Sequence, residues 1–274
     1  MRFLKTTGLS LEQAPPLSIP ASFFLTIPVG ILFAASLLIF TGLPPFLSPW
    51  MPHSLALTHA GTIGVLAMGM MGALYQMTPV IAGSPVPLAR LAHLVHGLML
   101  AGLAGFAWRL LGGSATAMSV AIICFALALA GFVLPLGWAL ARCGTRNETV
   151  QGMRLAVISL TTITLAGLAL ARGYSGGAFL EDRMLWMQIH LTLALLGWVG
   201  GLIMAVSWQV IPMFYLAPNF SKGVMRWFTG LLIAGLLMPL ASLLAPLGAN
   251  GTLTPAQLAA IGALPPVFPA EGAP

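Results

Sequence analysis

Residues 184–219 read MLWMQIHLTLALLGWVGGLIMAVSWQVIPMFYLAPN. The stretch is apolar for about thirty residues, long enough for a tilted helix to cross a hydrocarbon core roughly 30 Å thick. It carries His190 near one end and the run Trp208-Gln209-Val210-Ile211-Pro212 near the other. Polar groups inside a membrane helix are costly, so each calls for a partner or a role. An earlier segment repeats the plan. Residues 57–83, LTHAGTIGVLAMGMMGALYQMTPVIAG, also open on a histidine, His59, and close on Tyr75-Gln76-Met77-Thr78-Pro79. Superposing Gln76 on Gln209 pairs Tyr75 with Trp208 and Pro79 with Pro212, 133 residues apart, but the histidines are 131 apart. A slip of two residues is about 200° of helix rotation. A kink or bulge is therefore needed for both ends to match.

Working outward, the composition sets the class. Of 274 residues, 59% are hydrophobic and 6% charged, against about a quarter charged in a soluble domain. Apolar runs of twenty or more follow one another with short breaks, without the strict alternation of a barrel strand, which predicts an all-α polytopic bundle. Seven spans are expected, at about 21–44, 54–82, 90–111, 115–142, 150–172, 184–216 and 223–247. Residues 1–20 form an N-terminal segment, 21–247 the bundle, and 248–274 a short tail.

With the N-terminus cytoplasmic, the inner side collects Arg2, Lys5, Arg90, Arg142, Arg146, Arg154, Lys222 and Arg226, and the outer side only Arg109, Arg172 and Arg183. That asymmetry orients the chain N-in and its tail outside. The +6 charge then serves orientation, with lipid and not nucleic acid as the surrounding partner. The first twenty residues lack the apolar run of a cleavable signal. Cys124 and Cys143, nineteen residues apart on one expected helix, are too distant for a disulfide.

The five histidines sort by depth. His53 falls in the first outer loop, and His59 and His190 each lie about five or six residues inside their spans from the outer end, so they are level at ~8–9 Å depth. Neutral imidazoles at one depth on two helices suit axial ligation of haem iron. The other reading gives each histidine a neighbouring carbonyl or serine as a hydrogen-bond partner. His93 and His96, three residues apart on one helix face, open the third span on the inner side. One of them could ligate an inner haem, or the pair a copper ion, or both could be interfacial side chains beside Arg90. Gly61, Gly64, Gly69 and Gly72 on the second span and Gly197, Gly200 and Gly201 on the sixth permit close helix contact or room for a flat cofactor. Met68, Met70, Met71 and Met77 surround their helix, as packing residues do, where a Cu(I) site would line one face. Glu12, Glu148, Glu181, Asp182 and Glu271 all fall in expected loops or tails, so no span carries the carboxylate that pumps and coupled transporters use. No phosphate loop or hydrolytic triad is visible.

The segments THAGTIGVLAMGMMGALYQMTPVIAG and WMQIHLTLALLGWVGGLIMAVSWQVIPMFYLAP resemble the NnrS-like and haem-copper oxidase subunit I-like bacterial membrane proteins, in which a histidine opens a long helix ending in Gln-x-x-Pro. The resemblance spans residues 54–220. It implies a polytopic fold in the bacterial inner membrane, haem b and in some members copper, and respiratory or nitric-oxide-related redox chemistry. Carried over residue by residue, it makes His59 and His190 haem ligands and His93 a weaker third. The chain lacks the adjacent His-His pair and the histidine count of an oxidase, and seven spans fall short of the family's twelve or so. The expectation is a haem subunit for electron transfer or binding of a small gas such as NO or O2, with a redox partner protein or a second copy of itself, rather than a complete terminal oxidase. The alternatives are a broken-helix transporter or copper permease, whose site would use the two Gln-x-x-Pro ends, and a structural subunit of a respiratory complex.

Overall fold

A computed structural model describes residues 14–144 and 147–244. Among the described residues eight helices follow one another: α1 (Ser18–Thr41), the short α2 (Pro44–Leu47), α3 (Pro52–Ala82), α4 (Ala89–Leu110), α5 (Ala115–Arg142), α6 (Glu148–Ser175), α7 (Arg183–Tyr215) and α8 (Lys222–Leu244). Among the described residues α1 and α3 to α7 are long and apolar enough to cross a membrane, and the chain is a multi-pass membrane protein. The seventh expected span, 223–247, falls on α8, a helix of 23 residues that ends at Leu244; residues 245–247 lie outside the described residues. Residues 1–13 of the N-terminal segment, residues 145–146 and the whole tail 248–274 also lie outside the described residues, and with them Arg2, Lys5, Glu12, Arg146 and Glu271.

The helix limits follow from local chemistry. Ser114 and Asn147 cap α5 and α6, their side-chain oxygens accepting from the backbone N–H of Ala117 and Val150 at 3.4 and 2.8 Å, which satisfies donors a helix start leaves open. Pro52 begins α3, where its missing N–H costs nothing. Two expectations at the ends change. His53 belongs to the first turn of α3, not to a loop, and Glu148 is the first residue of α6.

Each helix is apolar all round, as lipid demands, so what distinguishes its inner face is shape. On α5 the buried side is Met118, Ala121, Phe125, Ala128, Phe132 and Leu136, at helical three- and four-residue steps, while Val120, Ile123, Leu127 and Leu134 face outward. Hydrocarbon offers helices no hydrophobic drive to associate, so tight contact carries the packing. The glycines supply it. A Cβ on Gly30 of α1 would lie 2.4 Å from the carbonyl oxygen of Gly64 on α3, and Gly69 and Gly72 meet Ile27 and Phe23 of α1. Gly197 abuts Ser159 of α6, and Gly201 abuts Leu232 of α8. Gly152 of α6 lies against Ala205 of α7.

These contacts build two groups. Helix α3 packs on α1, α4 and α5, helix α7 packs on α6 and α8, and α5 joins the groups through α6. Helices α3 and α7 have no extensive packing against each other. They meet through side chains near their N-terminal ends.

Both helices are interrupted by a wide π turn, Thr62–Ala67 in α3 and Leu193–Gly200 in α7. Each begins three residues after the histidine, and each is followed by nine α-helical residues ending on Gln76 or Gln209. The turns contain six and eight residues, so the two-residue slip between the segments lies wholly within them. Such turns are rare and cluster at functional sites. The correspondence continues to the helix ends, where Gly83 and Leu216, each seven residues after its glutamine, both adopt positive φ, at 62° and 50°.

Candidate haem-ligand site

The two histidines come together. The ring centres of His59 and His190 are 6.3 Å apart with their planes 24° from parallel. His59 Nδ1 lies 2.8 Å from the Leu55 carbonyl, one turn back on its own helix. His190 Nδ1 lies 3.2 Å from the Ile163 carbonyl of α6. A carbonyl can only accept, so each Nδ1 carries the proton and each Nε2 keeps its lone pair. The carbonyl-bonded reading of these histidines therefore holds for one nitrogen of each ring and leaves the other free for a ligand's role. This is also how metal-bound histidines are oriented, the second N–H held by a carbonyl or carboxylate.

The residues around the pair belong to three further helices. Phe106 of α4 packs against His59 with ring centres 4.7 Å apart, and itself meets Phe125 of α5 at 6.4 Å. Gly167 of α6 lies under His190, where a Cβ would be 2.9 Å from Cε1. Nothing in the order of residues links 167 or 163 to 190. The contact exists because α6 and α7 pack along their length, with Gly152 against Ala205 and Gly197 against Ser159.

The fit to haem can be judged on this geometry. Two imidazoles on one ion, with N–metal bonds of ~2 Å and ring centres ~1 Å behind each nitrogen, stand roughly 6 Å apart with their nitrogen edges toward it; the separation of 6.3 Å matches, while the rings stand stacked and would have to turn to bring each Nε2 forward. The thin packing between α3 and α7 is compatible with a flat group between them. The glycines play a smaller part than their number suggests, because Gly64, Gly69, Gly72, Gly197 and Gly201 are filled by neighbouring helices. Of the seven glycines on these spans, Gly61 alone, two residues after His59, faces open space.

His93 and His96 do not join this site. His96 Nε2 lies 2.6 Å from Thr26 Oγ1 of α1, whose own proton goes to the Ser22 carbonyl at 3.0 Å, so Nε2–H is the donor. Phe23 lies edge-on to the His96 ring at 5.1 Å. His93 is exposed. A copper ion on this pair would have to take His96 through Nδ1. Among the described residues no three His, Cys, Asp or Glu side chains converge as a metal site. Met68 and Met71 are fully buried, in keeping with packing. Cys143 donates to the Ala82 carbonyl at 2.9 Å.

The Gln-x-x-Pro ends diverge. Tyr75 is buried between Phe23 and Phe132, at 5.6 and 5.3 Å, and the neighbouring Gln76 Oε1 is buried without a hydrogen-bond partner. Trp208 and Gln209 instead line a cavity of about 320 Å³ where α6 and α8 begin and α7 ends, with Asn147, Glu148 and Asn219. Both helices continue through their prolines, to Ala82 and Tyr215.

Compared with known proteins, the chain matches no family model, no curated protein and no solved structure.

Proposed function

We propose that this chain is a haem b-binding protein of the bacterial inner membrane, of the NnrS-like, oxidase-subunit-like kind, that carries electrons in a respiratory setting. The observation that carries the reading is the meeting of His59 and His190, from helices that otherwise barely touch, with each Nδ1 held by a carbonyl and each Nε2 left with its lone pair. The bound group would supply one-electron redox chemistry at iron.

The rest of the work falls to the protein. His59 and His190 would hold the iron from opposite sides, with ring orientations set by Leu55 and Ile163. Phe106 and Gly167 limit how far each ring can turn. Phe106 covers one side of His59 with apolar surface. Use of both histidines to hold the group would favour electron transfer over binding of NO or O2. No carboxylate stands near the pair to hold or move a proton in the described residues.

The test is a visible spectrum of the detergent-purified protein with iron analysis. The expected result is a Soret band of a six-coordinate haem, unchanged by carbon monoxide on reduction. His59→Ala and His190→Ala should each convert it to a five-coordinate species that binds carbon monoxide. A colourless protein, or a band indifferent to both substitutions, would refute the proposal.

A further inference from the structure

The end of the bundle away from the histidine pair holds the cavity of about 320 Å³ where α6 and α8 begin and α7 ends. Gln209, in its wall, stands nineteen residues beyond His190 on α7, roughly 25–28 Å along the helix. The two places share no residue. Helices α6 and α7 are each long and apolar enough to span a membrane, so the start of one and the end of the other lie at the membrane surface, at the level of lipid headgroups. Asn219 and Phe220, in the turn between α7 and α8, line the cavity and are exposed, so it opens to that surface.

The wall is rich in hydrogen-bond acceptors. Glu148, the first residue of α6, brings a carboxylate on a side chain that is only 18% exposed. Its contact with Arg226 Nε, at 3.4 Å, is longer than a usual hydrogen bond, and a carboxylate has about four lone-pair sites to offer. The amides of Gln209 and Asn219 add two carbonyl oxygens. Pro212 has no N–H to give the Trp208 carbonyl one turn back, so the end of α7, which is also the negative end of its helix dipole, adds a backbone acceptor beside them. Asn147 plays another part, its oxygen being committed to the Val150 N–H at 2.8 Å. The rings of Trp208 and Phe220 complete the wall, and aromatic rings are attractive neighbours for a cation.

The rim has the opposite charge. Arg226 reaches Glu148 through Nε while its side chain is 73% exposed, open to an anion from the surface. Lys222 is four residues before it on α8 and exposed, and residues four apart are neighbours on one helix face. A pair of cations thus stands beside a pocket of acceptors. A ligand complementary to both carries a phosphate joined by a short bridge to a primary ammonium. A trimethylammonium group would bring no N–H to the acceptors, and an uncharged or anionic group would bring no cation to Glu148. From the rim, Val224, Phe228 and Leu231 of α8 are exposed at four- and three-residue steps, an apolar track along which an acyl chain can lie.

We propose that this cavity seats the headgroup of an ethanolamine phospholipid, its ammonium against Glu148, Gln209 and Asn219 and its phosphate on Lys222 and Arg226.

The full chain, purified in detergent and stripped of lipid, is titrated with phosphatidylethanolamine, phosphatidylcholine and phosphatidylglycerol of identical acyl chains, and the one-lipid complex is followed by native mass spectrometry. The ethanolamine lipid should bind about tenfold more tightly than either of the others, the worth of one hydrogen bond to a charged group. Glu148→Gln should remove that preference, and Lys222→Gln/Arg226→Gln should weaken all three lipids together. Gln209→Leu, a neutral change at the opposite wall, should reduce the preference several-fold and keeps the test decisive if the Glu148 variant does not fold. Equal binding of the three lipids, tightest binding of phosphatidylglycerol, or a preference that survives both Glu148→Gln and Gln209→Leu overturns the inference. Ethylammonium chloride is the soluble counterpart: a thermal midpoint that it raises in wild type but not in Glu148→Gln, without any lipid preference, would make the ligand a free amine and overturn the lipid assignment. Each of these outcomes leaves the haem reading where it stands.

Discussion

Replacing Gly167 by alanine would place a methyl carbon 2.9 Å from Cε1 and 3.3 Å from Nδ1 of His190. Carbon atoms rest at about 3.5–4.0 Å, so the ring must retreat by roughly 0.6–1 Å. A metal–ligand bond tolerates only about 0.2 Å. The Nδ1 bond to the Ile163 carbonyl, already 3.2 Å long, would also be stretched or turned, which removes the contact that aims the ring. Loss of such an orienting partner lowers metal affinity by about 10–100-fold. His59, on another helix and held by Leu55, is untouched. The expected product is therefore a haem held from one side, read as a shift of the Soret band and as carbon monoxide binding that wild type lacks. Gly137→Ala on α5 is the matched control, since its added methyl meets nothing within 4 Å and its helix carries neither histidine, and its spectrum should equal that of wild type. Both changes gain about 0.8–1 kcal/mol of helix propensity, so a raised thermal midpoint for Gly137→Ala without a rise for Gly167→Ala reports the clash independently of any haem. Identical spectra and identical midpoints for the two variants would refute the reasoning.

Gly30→Val should separate α1 from α3, because its Cβ would lie 2.4 Å from backbone at Gly64; overpacking of this kind costs about 1–3 kcal/mol, visible as a lower midpoint in detergent. Leu216→Gly should raise stability, since a leucine at φ 50° carries a cost of order 1–3 kcal/mol that glycine, at its own entropic cost of about 0.5–1 kcal/mol, largely relieves; a thermal melt checks it. Thr26→Val removes the acceptor of His96 Nε2–H and should cost about 1–3 kcal/mol while leaving any haem spectrum unaltered, and a changed spectrum would bring the inner histidine into the site. Glu148→Gln should change stability by less than about 1 kcal/mol, because its partner Arg226 is largely exposed and such pairs are weak.

Hydropathy alone determined the helices. Span limits expected at 54–82, 115–142 and 184–216 coincide with α3, α5 and α7 to within two residues, because a backbone in lipid must close its hydrogen bonds locally, so the apolar run is the helix. Depth was legible for the same reason, since His59 and His190 each count from an outer helix end. What the chain order could not carry is which helices are neighbours. Identical apolar surfaces leave that choice to shape, to Gly30 against Gly64 and Gly152 against Ala205, and only the packed bundle turns two level histidines into a pair of rings 6.3 Å apart. The π turns were equally hidden, although the two-residue slip required something of their kind. The same packing reassigned most of the glycines from cofactor space to helix contact, and it brought Glu148 and Gln209, 61 residues apart, into the wall of one cavity.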